Sequence, residues 1–556
     1  MRNFWKKKYG LWAAAAILAC GLLVSAGKSD FDVAKNMEVL FNLIREVSLN
    51  YVDETDPDEL MKKGANGMLA ELDPYTTFLS EKEMEGFEVM TTGKYGGIGA
   101  LIRKKGEWVE IAQPYRGFAA DKAGLKIGDK IRRVDDFDAR NASTEEVSNR
   151  MKGDPGTTFT MEVERFADGS IEELTIQRER IVLSGITYAG MLNDSVGYVS
   201  HADFTEGCSD DLRDAIMELK KQGMKALVYD LRDNGGGILQ EAVKIVGMFV
   251  PRASSVVETR GRGEQGVVYK TPSAPIDPEM PLVVLVDRNS ASASEIVAGA
   301  LQDYDRAVIV GQRSFGKGLV QSTRPVGYNN YVKMTTAKYY IPSGRCIQAI
   351  DYSHRDAEGR VTHVPDSLIG EFRTAGGRRV YDGGGIMPDV VTPEDKYDIF
   401  TAALYGYNYL EDYAMEYIRR TGFQPVDADH FRLSDGDYAD FIAFMADKPV
   451  DYESQTKAAL EVLKKTAEQE HFADRIVPEL EVLTEKIAKN KTEELERLKP
   501  EISRLIESNI VLYYDYAQGV VRHRLSDDTT LDAALSLLAD PAEVHRILSS
   551  QDTQKN

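Results

Sequence analysis

Cysteine is scarce in this chain: three in 556 residues, at positions 20, 208 and 346. A small scaffold held by many disulfides is thereby excluded, and if Cys20 leaves with the leader described below, at most one bridge remains, between Cys208 and Cys346. Basic charge is also in deficit, with 68 Lys and Arg against 89 Asp and Glu. Removing the first 27 residues, which carry Arg2, Lys6, Lys7 and Lys8 and no acid, takes the net charge from −21 to −25. A surface that acidic opposes the phosphate backbone, so no nucleic-acid partner is expected. No long low-complexity linker and no exact internal repeat is visible. The seven histidines (201, 354, 363, 430, 471, 523 and 545) include none in an obvious catalytic motif, and His201, just after a strand, reads as ordinary structure.

Long apolar runs are missing too, with one exception near the start. A basic opening from Met1 to Lys8 is followed by 16 apolar or small residues, Leu11 to Ala26, and by small residues at Val24-Ser25-Ala26. That is the order of a secretory signal, so the protein is expected to be exported, to the periplasm or cell envelope. The run falls a little short of the ~20 residues that span a bilayer, which leaves retention as a membrane anchor open beside cleavage. Cys20 is a poor lipid-attachment site, because apolar sequence continues past it.

What is present is a chain long enough for three or four domains, 43% apolar and globular. Residues 28–90 read as a helical segment, with Val33, Met37, Leu40, Ile44 and Val47 at helical spacing and a turn at Leu72-Asp73-Pro74. From 91 to 180 short alternating strands such as Trp108-Val-Glu-Ile111 are separated by glycine turns, with one short helix starting near Ser143 or Thr144. Between 181 and 395 strands and helices alternate, as in Ala226–Asp230, Leu239–Phe249, Leu282–Val286 and Glu295–Gln302, which gives an α/β core. Residues 396–556 are charged and amphipathic and predict a helical C-terminal domain.

The stretch Gly311-Gln-Arg-Ser-Phe-Gly-Lys-Gly318 has seven of the eight positions of a phosphate-binding loop. It lacks the Ser or Thr that would hold magnesium, and Leu319-Val-Gln-Ser-Thr-Arg-Pro325 after it is rich in β-formers where a helix is needed. The segment reads as strand, glycine turn, strand, and Lys317 is either a solvated turn residue or a general base. A lysine acts as a base once burial brings its pKa from ~10.4 toward ~7–8, and Phe315 and Leu319 are candidates for those apolar surroundings. On one strand, Lys317 and Gln321 would face the same side.

Upstream, the strand Leu282–Val286 runs into Arg288-Asn-Ser-Ala-Ser-Ala-Ser-Glu295 and an apolar helix. Ser292-Ala-Ser-Glu295 fits a capping box, and the same place suits a nucleophile, because free amides at a helix start also receive an oxyanion. Asp230-Leu-Arg-Asp-Asn-Gly-Gly-Gly-Ile-Leu239 is a second turn that offers such amides.

These stretches, with "TTAKYYIPSGRCIQ" (335–348) and "GGGIMPD" (383–389), resemble the carboxy-terminal processing peptidases, or tail-specific proteases, over roughly residues 35–395. The resemblance implies Ser292 as nucleophile, chosen over Ser290 and Ser294 by its 25-residue separation from Lys317. It implies Lys317 as general base, Gln321 orienting it, oxyanion donors at Ala293 and Gly236, and Asp303 in support. Gly235 stands where the family often has proline, which loosens the choice between Gly236 and Gly237. Residues 91–180 resemble the family's PDZ domain, with Gly97, Ile98 and Gly99 of Tyr95-Gly-Gly-Ile-Gly99 as the loop that binds a substrate's C-terminus. An amide-lined glycine loop beside an open sheet edge suits that task. The family's PDZ domain also acts as a gate on the catalytic site.

The resulting expectation is a serine endopeptidase acting on proteins with free C-terminal tails, with no metal or organic cofactor. An inactive PDZ scaffold and a nucleotide-binding protein are the competing classes. The amphipathic helices at both ends suit a homodimer, an adaptor protein or intrachain packing.

Overall fold

A computed structural model describes residues 31–263, 266–355, 360–394, 396–452, 455–487 and 491–549, so the leader read in residues 1–27 lies outside the described residues. No helix among the described residues is long and apolar enough to cross a membrane. The chain forms two compact units, one taking it up to Met84 together with Gln321–Thr336, the other comprising Glu85–Val320 and Ala337–Asn556.

The smaller unit begins with helices α1 (31–50) and α2 (Pro57–Ala70). Pro57 opens α2 and the Asp56 carboxylate accepts from the amides of Asp58 and Glu59, which satisfies two of the donors a helix start leaves free. The helical reading of residues 28–90 needs one correction, because Thr77–Leu79 is a strand, β1. Asp73 folds the preceding turn by accepting from the amides of Tyr75 and Thr76 at 2.9 and 2.8 Å, and the β-forming Thr-Phe-Leu then pairs antiparallel with Tyr331–Lys333. That partner lies some 250 residues along the chain and has no local signature.

Helix α3 (Glu81–Thr92) leads to a β-rich domain made of β2 (Lys94–Gly97), β3 (Ala100–Lys105), β4 (Trp108–Pro114), α4 (Ala119–Lys122), β5 (Lys130–Val134), β6 (Phe137–Asp138), α5 (Thr144–Met151), β7 (Thr158–Glu164), β8 (Ile171–Gln177) and β9 (Glu179–Val182). The sheet order is β3-β4-β5-β7-β8, with β6 on β5, so β3 is an edge strand. Alternate residues of β7, Phe159, Met161 and Val163, enter the core with Val109, Ile111 and Leu125. Ser143 caps α5 in a capping box with Glu146. Strands β2 and β9 pair antiparallel, so the chain enters and leaves this domain through one two-stranded stalk.

The core follows with β10 (Ile186–Met191), β11 (Val196–His201), α6 (Cys208–Lys221), β12 (Ala226–Asp230), α7 (Leu239–Val246), β13 (Ser255–Gly261), β14 (Val267–Lys270), β15 (Leu282–Val286), α8 (Ala293–Asp303) and β16 (Val308–Gly311). Next come the hairpin β17 (Leu319–Gly327) and β18 (Asn330–Tyr340), two small hairpins β19 (Ile350–Arg355) with β20 (Val361–His363) and β21 (Glu371–Arg373) with β22 (Arg379–Tyr381), and β23 (Val390–Val391). The main sheet runs β10-β11-β12-β15-β16-β23, parallel from β11 onward with β10 antiparallel at its edge. Strand β15 is apolar throughout because both faces are covered. Leu282, Val284 and Val286 pack with α6, α7 and α8, while Val283 and Leu285 pack on the opposite face.

The second cover comes from the C-terminus. Helices α9 (Ile399–Gly406), α10 (Tyr409–Arg420), α11 (Asp435–Phe444), α12 (Gln455–Gln469), α13 (Ala473–Ile487), α14 (Lys491–Arg497) and α15 (Lys499–Leu525) precede α16 (Thr529–Ala539) and α17 (Pro541–Ser549). Parts of α9, α10, α11, α14 and α15 share a core of their own, whereas Leu531, Ala534 and Leu537 of α16 lie on the main sheet against Val283 and Leu285. The predicted helical tail is therefore two things, a helical domain and the sheet's second layer. Cys208 and Cys346 are both free thiols.

The β-rich domain is fixed to the helical domain through polar and aromatic contacts. Arg103 pairs with Glu110 beside it and with Glu411 of α10, and the Tyr516 hydroxyl donates to Asp121 at 2.8 Å. Phe166 meets Phe423 edge to face, with the ring centroids 6.1 Å apart.

Candidate active site

Strand β15 delivers the chain to the turn that holds the three candidate serines. Two of them are committed to holding that turn. Ser290, fully buried, donates to the Leu231 carbonyl at 2.8 Å, and Ser294 donates to the Asn234 carbonyl at 2.9 Å. Ser292 is half-buried and sits at φ 56°, ψ −112°, a conformation that L residues rarely adopt and that surrounding structure must enforce. The enforcement is visible in Asp287, whose Oδ1 accepts from the amides of Asp233, Asn289 and Ser290.

Glu295 does more than the capping reading assigns to it. Its Oε2 accepts from the Ser292 amide at 2.8 Å, which is the returning half of a capping box, and also from the Lys317 amide at 2.9 Å. Its Oε1 accepts from Ser314 Oγ at 2.5 Å and the Gly316 amide at 2.7 Å. One buried carboxylate thus joins the serine turn to the lysine turn. Burial pushes its pKa up to about 7, against the lowering effect of those four donors. From the other side, the Tyr339 hydroxyl reaches the Ser292 carbonyl at 3.1 Å and also bonds the Lys317 carbonyl.

The same bonds dispose of the phosphate-loop reading. The Gly316 and Lys317 amides serve Glu295, the Gly318 amide donates to Gln348 Oε1 at 2.7 Å, and strand β17 follows where a helix would be required. Lys317 itself is half-buried in the turn, two residues before β17, so the same-strand argument that put it on one side with Gln321 does not apply. Gln321 belongs to the smaller unit, where its amide donates to Thr335 Oγ1 at 3.2 Å. Of the two apolar neighbours expected around Lys317, Leu319 is buried and Phe315 is 44% exposed.

The glycine turn after β12 lies against Ser292. A Cβ built on Gly236 would stand 2.8 Å from both Ser292 Cβ and the Ala293 amide nitrogen, and Gly236 has φ 98°, so only glycine fits. Its own amide, read from the sequence as an oxyanion donor, donates here to Asn234 Oδ1 at 2.8 Å. Asn234 in turn donates to the His201 carbonyl at 2.6 Å, and its carbonyl accepts from Ala291. Sequence reasoning missed Asn234 and Tyr339, because each acts through a partner far away in the chain. The His201 ring is structural, as expected. Its Nε2 donates to the Asp203 carbonyl at 2.9 Å, Nδ1 meets Tyr229 Oη at 2.5 Å, and burial pulls its pKa down to about 4.

Asp303 is the last residue of α8, an eleven-residue helix, and so sits roughly 16 Å of helix away from Ser292. Its Oδ1 accepts from Arg345 at 2.9 Å and its Oδ2 from the Ser343 amide at 2.9 Å, with both charged side chains buried. It anchors the far end of the helix and does not reach the serine turn.

In the β-rich domain, Gly97, Ile98 and Gly99 form the link from β2 to the edge strand β3. Gly97 pairs with Glu179, Ile98 is buried in the domain core, and Gly99 has φ 72° with Phe118 so close that a Cβ would lie 2.5 Å from it. A pocket of about 90 Å³ opens beside them between β3 and α5.

A strained serine turn on an α/β sheet, joined through Glu295 to a lysine turn and accompanied by a domain with an open sheet edge, is the arrangement of a serine peptidase class. Comparison with known proteins agrees. Peptidase family S41 matches residues 195–353, the PDZ domain family residues 88–164, and the family described as a probable PDZ-protease C-terminal helical domain residues 400–538. The carboxy-terminal-processing protease of Bartonella bacilliformis is 32% identical over 353 residues, 62% of this chain and 81% of that one. A probable CtpA-like serine protease of Staphylococcus aureus is 33% identical over 315 residues, 56% of this chain and 62% of that one. Among solved structures, the photosystem II D1 C-terminal processing protease is 27% identical, covering 63% of this chain and 85% of that one at a TM-score of 0.33. The chain belongs to peptidase family S41, the carboxy-terminal-processing proteases, and is a serine-type peptidase with a PDZ domain.

Proposed function

We propose that this protein is an exported endopeptidase that captures the free C-terminal tails of protein substrates on its PDZ domain and cleaves them through an acyl-enzyme on Ser292, with Lys317 as general base. The observation that carries this reading is the double tie between the two turns, Glu295 on their amides and Tyr339 on their carbonyls. Nothing in a folding argument alone requires a half-buried serine at positive φ to be held against a glycine-flanked lysine.

In the proposed reaction Ser292 Oγ attacks the scissile carbonyl and its proton passes to Lys317 Nζ. The negative oxygen of the tetrahedral intermediate is received by the Ala293 amide at the start of α8, and the Gly236 amide joins it only on leaving Asn234 Oδ1. Collapse expels the C-terminal fragment as an amine, which takes the proton from Lys317. Water then attacks the Ser292 ester and regenerates the enzyme. Gln321 is assigned to orient Lys317 by family resemblance. Export rests on the basic start and apolar run of residues 1–27.

The test is incubation of residues 28–556 with an unstructured protein that ends in a free apolar tail, read by mass spectrometry. Cleavage by the wild type and by neither Ser292→Ala nor Lys317→Ala is expected. Fragments produced equally by Ser292→Ala would overturn the assignment of the nucleophile.

A further inference from the structure

The pocket beside the Gly97–Gly99 loop has one charged wall. It lies between helix α5 and the edge strand β3, which pairs with β4 alone within its sheet, and it has a volume of about 90 Å³. Val89, Ile102 and Met151 make it apolar, and Lys152 is the one charged side chain among the described residues that line it. A Cβ built on Gly97 would stand 4.0 Å from Lys152 Cγ, so the lysine stem lies against the loop expected to receive a substrate's terminal carboxylate.

The backbone fixes the lysine in that place. Lys152 ends α5, with its amide donating to the Ser148 carbonyl at 2.9 Å, and the next amide, of Gly153, donates to the Gly96 carbonyl at 3.2 Å and ties the helix end to β2. A lysine at a helix end commonly offsets the last free carbonyls. Here that task falls to Arg178, whose Nε and Nη2 donate to the Met151 and Arg150 carbonyls at 3.1 and 2.6 Å. Nor is Lys152 held in an ion pair. Lys94, Lys122 and Lys130 of the same domain pair with Glu206, Glu179 and Glu164, whereas no carboxylate pairs with Lys152 among the described residues.

We propose that Lys152 is a substrate-binding residue, its ammonium pairing with the terminal carboxylate of a tail whose last side chain enters the apolar pocket. The inference rests on the reading that this domain captures free C-termini. Amides of a glycine loop meet a carboxylate with partial charges alone. The chain carries a net charge of −21, a field that opposes an anionic chain end, and a full positive charge at the pocket offsets it locally. The flexible four-carbon stem lets the ammonium follow the carboxylate once the last side chain is seated. The pocket thus selects a small apolar last residue, and the lysine selects a free acid.

The test uses the full-length protein in the Ser292→Ala background, with a labelled peptide ending in a free, small apolar C-terminus and its C-terminally amidated twin, read by fluorescence anisotropy. Lys152→Gln keeps a polar side chain and removes the charge. It should bind the free acid several-fold and up to about tenfold more weakly than its parent, while the amidated peptide binds weakly and equally to both. Lys152→Glu should weaken the acid further, and Lys152→Arg should restore most of the preference for acid over amide. Because the Lys152 side chain is exposed, the melting temperature should not move in any of the three. An acid-to-amide ratio that is the same in Lys152→Gln as in its parent, with the acid still preferred, overturns the role of the lysine and leaves tail capture standing. Equal loss of acid and amide binding also overturns it, since that result marks lost packing in place of lost charge. Equal binding of acid and amide by the parent overturns tail capture and the lysine's role with it.

Discussion

The backbone amide of Lys317 donates to Glu295 Oε2 at 2.9 Å, so the lysine turn is anchored to the first turn of the helix that begins at the serine. Because that carboxylate is fully buried and its pKa stands near 7, its ionisation is linked to folding. The folded state holds the proton more tightly than the unfolded chain. The contribution to stability is therefore fully present below the ordinary glutamate value of 4.5 and is lost as pH rises through 7. Glu295→Gln removes that slope. The stability gap between wild type and variant, measured by urea unfolding, should be wider at pH 5 than at pH 8 by up to about 3 kcal/mol. A gap that does not change with pH would show that Glu295 titrates normally.

Adjacent glycines in the turn after β12 should respond in opposite ways. A Cβ at Gly235 meets nothing within 4 Å and its φ is not positive, so Gly235→Ala should fold normally and gain about 0.4–1 kcal/mol from a stiffer unfolded chain. Gly236→Ala drives a methyl into the Ala291 carbonyl, 2.7 Å away, and into Ser292. It should abolish cleavage while Gly235→Ala retains it, and comparable activity in both would contradict the close approach of the two turns.

Much of this site can be read from the sequence because it is built from local features. Apolar strands ending in small residues give the serine and glycine turns, and a glycine-flanked lysine followed by β-formers gives the third. What is not legible depends on distant partners. Tyr339 reaches Ser292 across 47 residues, Asp303 meets Arg345 across 42, and β1 finds its strand far downstream. Glu295 was visible as a capping residue, and only the fold brings the Lys317 turn to its second oxygen. The helical tail misleads in another way, since an amphipathic pattern does not say whether its apolar face meets other helices or, as with α16, a sheet.

Asp303 should behave as a fold residue. Asp303→Ala leaves the Arg345 guanidinium buried without its carboxylate, which typically costs ~3–5 kcal/mol. The melting temperature should fall by several degrees, and activity measured well below it should survive in proportion to the folded fraction. Complete loss of activity in a variant with an unchanged melting temperature would instead give Asp303 a direct part in catalysis.

Acid should loosen the glycine turn. His201 is buried with its pKa drawn down to about 4, below the ordinary value of 6.5, so the stability it contributes is fully present above pH 6.5 and is lost as pH falls toward 4. Its carbonyl holds Asn234, which holds Gly236, so hydrogen exchange at residues 234–238 should accelerate across that range. Exchange there that is unchanged between pH 7 and pH 5, after correction for the intrinsic rate, would separate the turn from the histidine.

The contact of Arg103 with Glu110 and Glu411 should decide how firmly the PDZ domain is held on the helical domain. Glu110 is 4% exposed, so Arg103→Ala leaves two carboxylates facing each other with no cation between them. The penalty of a broken buried pair, ~3–5 kcal/mol, is an upper bound because the Arg103 side chain keeps 32% of its exposure. Each side of the contact has its own core, the β-rich domain around Ile111 and Leu125 and the helical domain around Tyr413 and Ile506. The loss should therefore appear as opening of the seam, with faster hydrogen exchange in 100–111 and 409–420 and little change in the main sheet. If the PDZ domain also gates the serine and lysine turns, the same variant should change the ratio of activity on tail-bearing to amidated substrates. Opening of the seam with that ratio unchanged would leave Arg103 as a purely structural fastening.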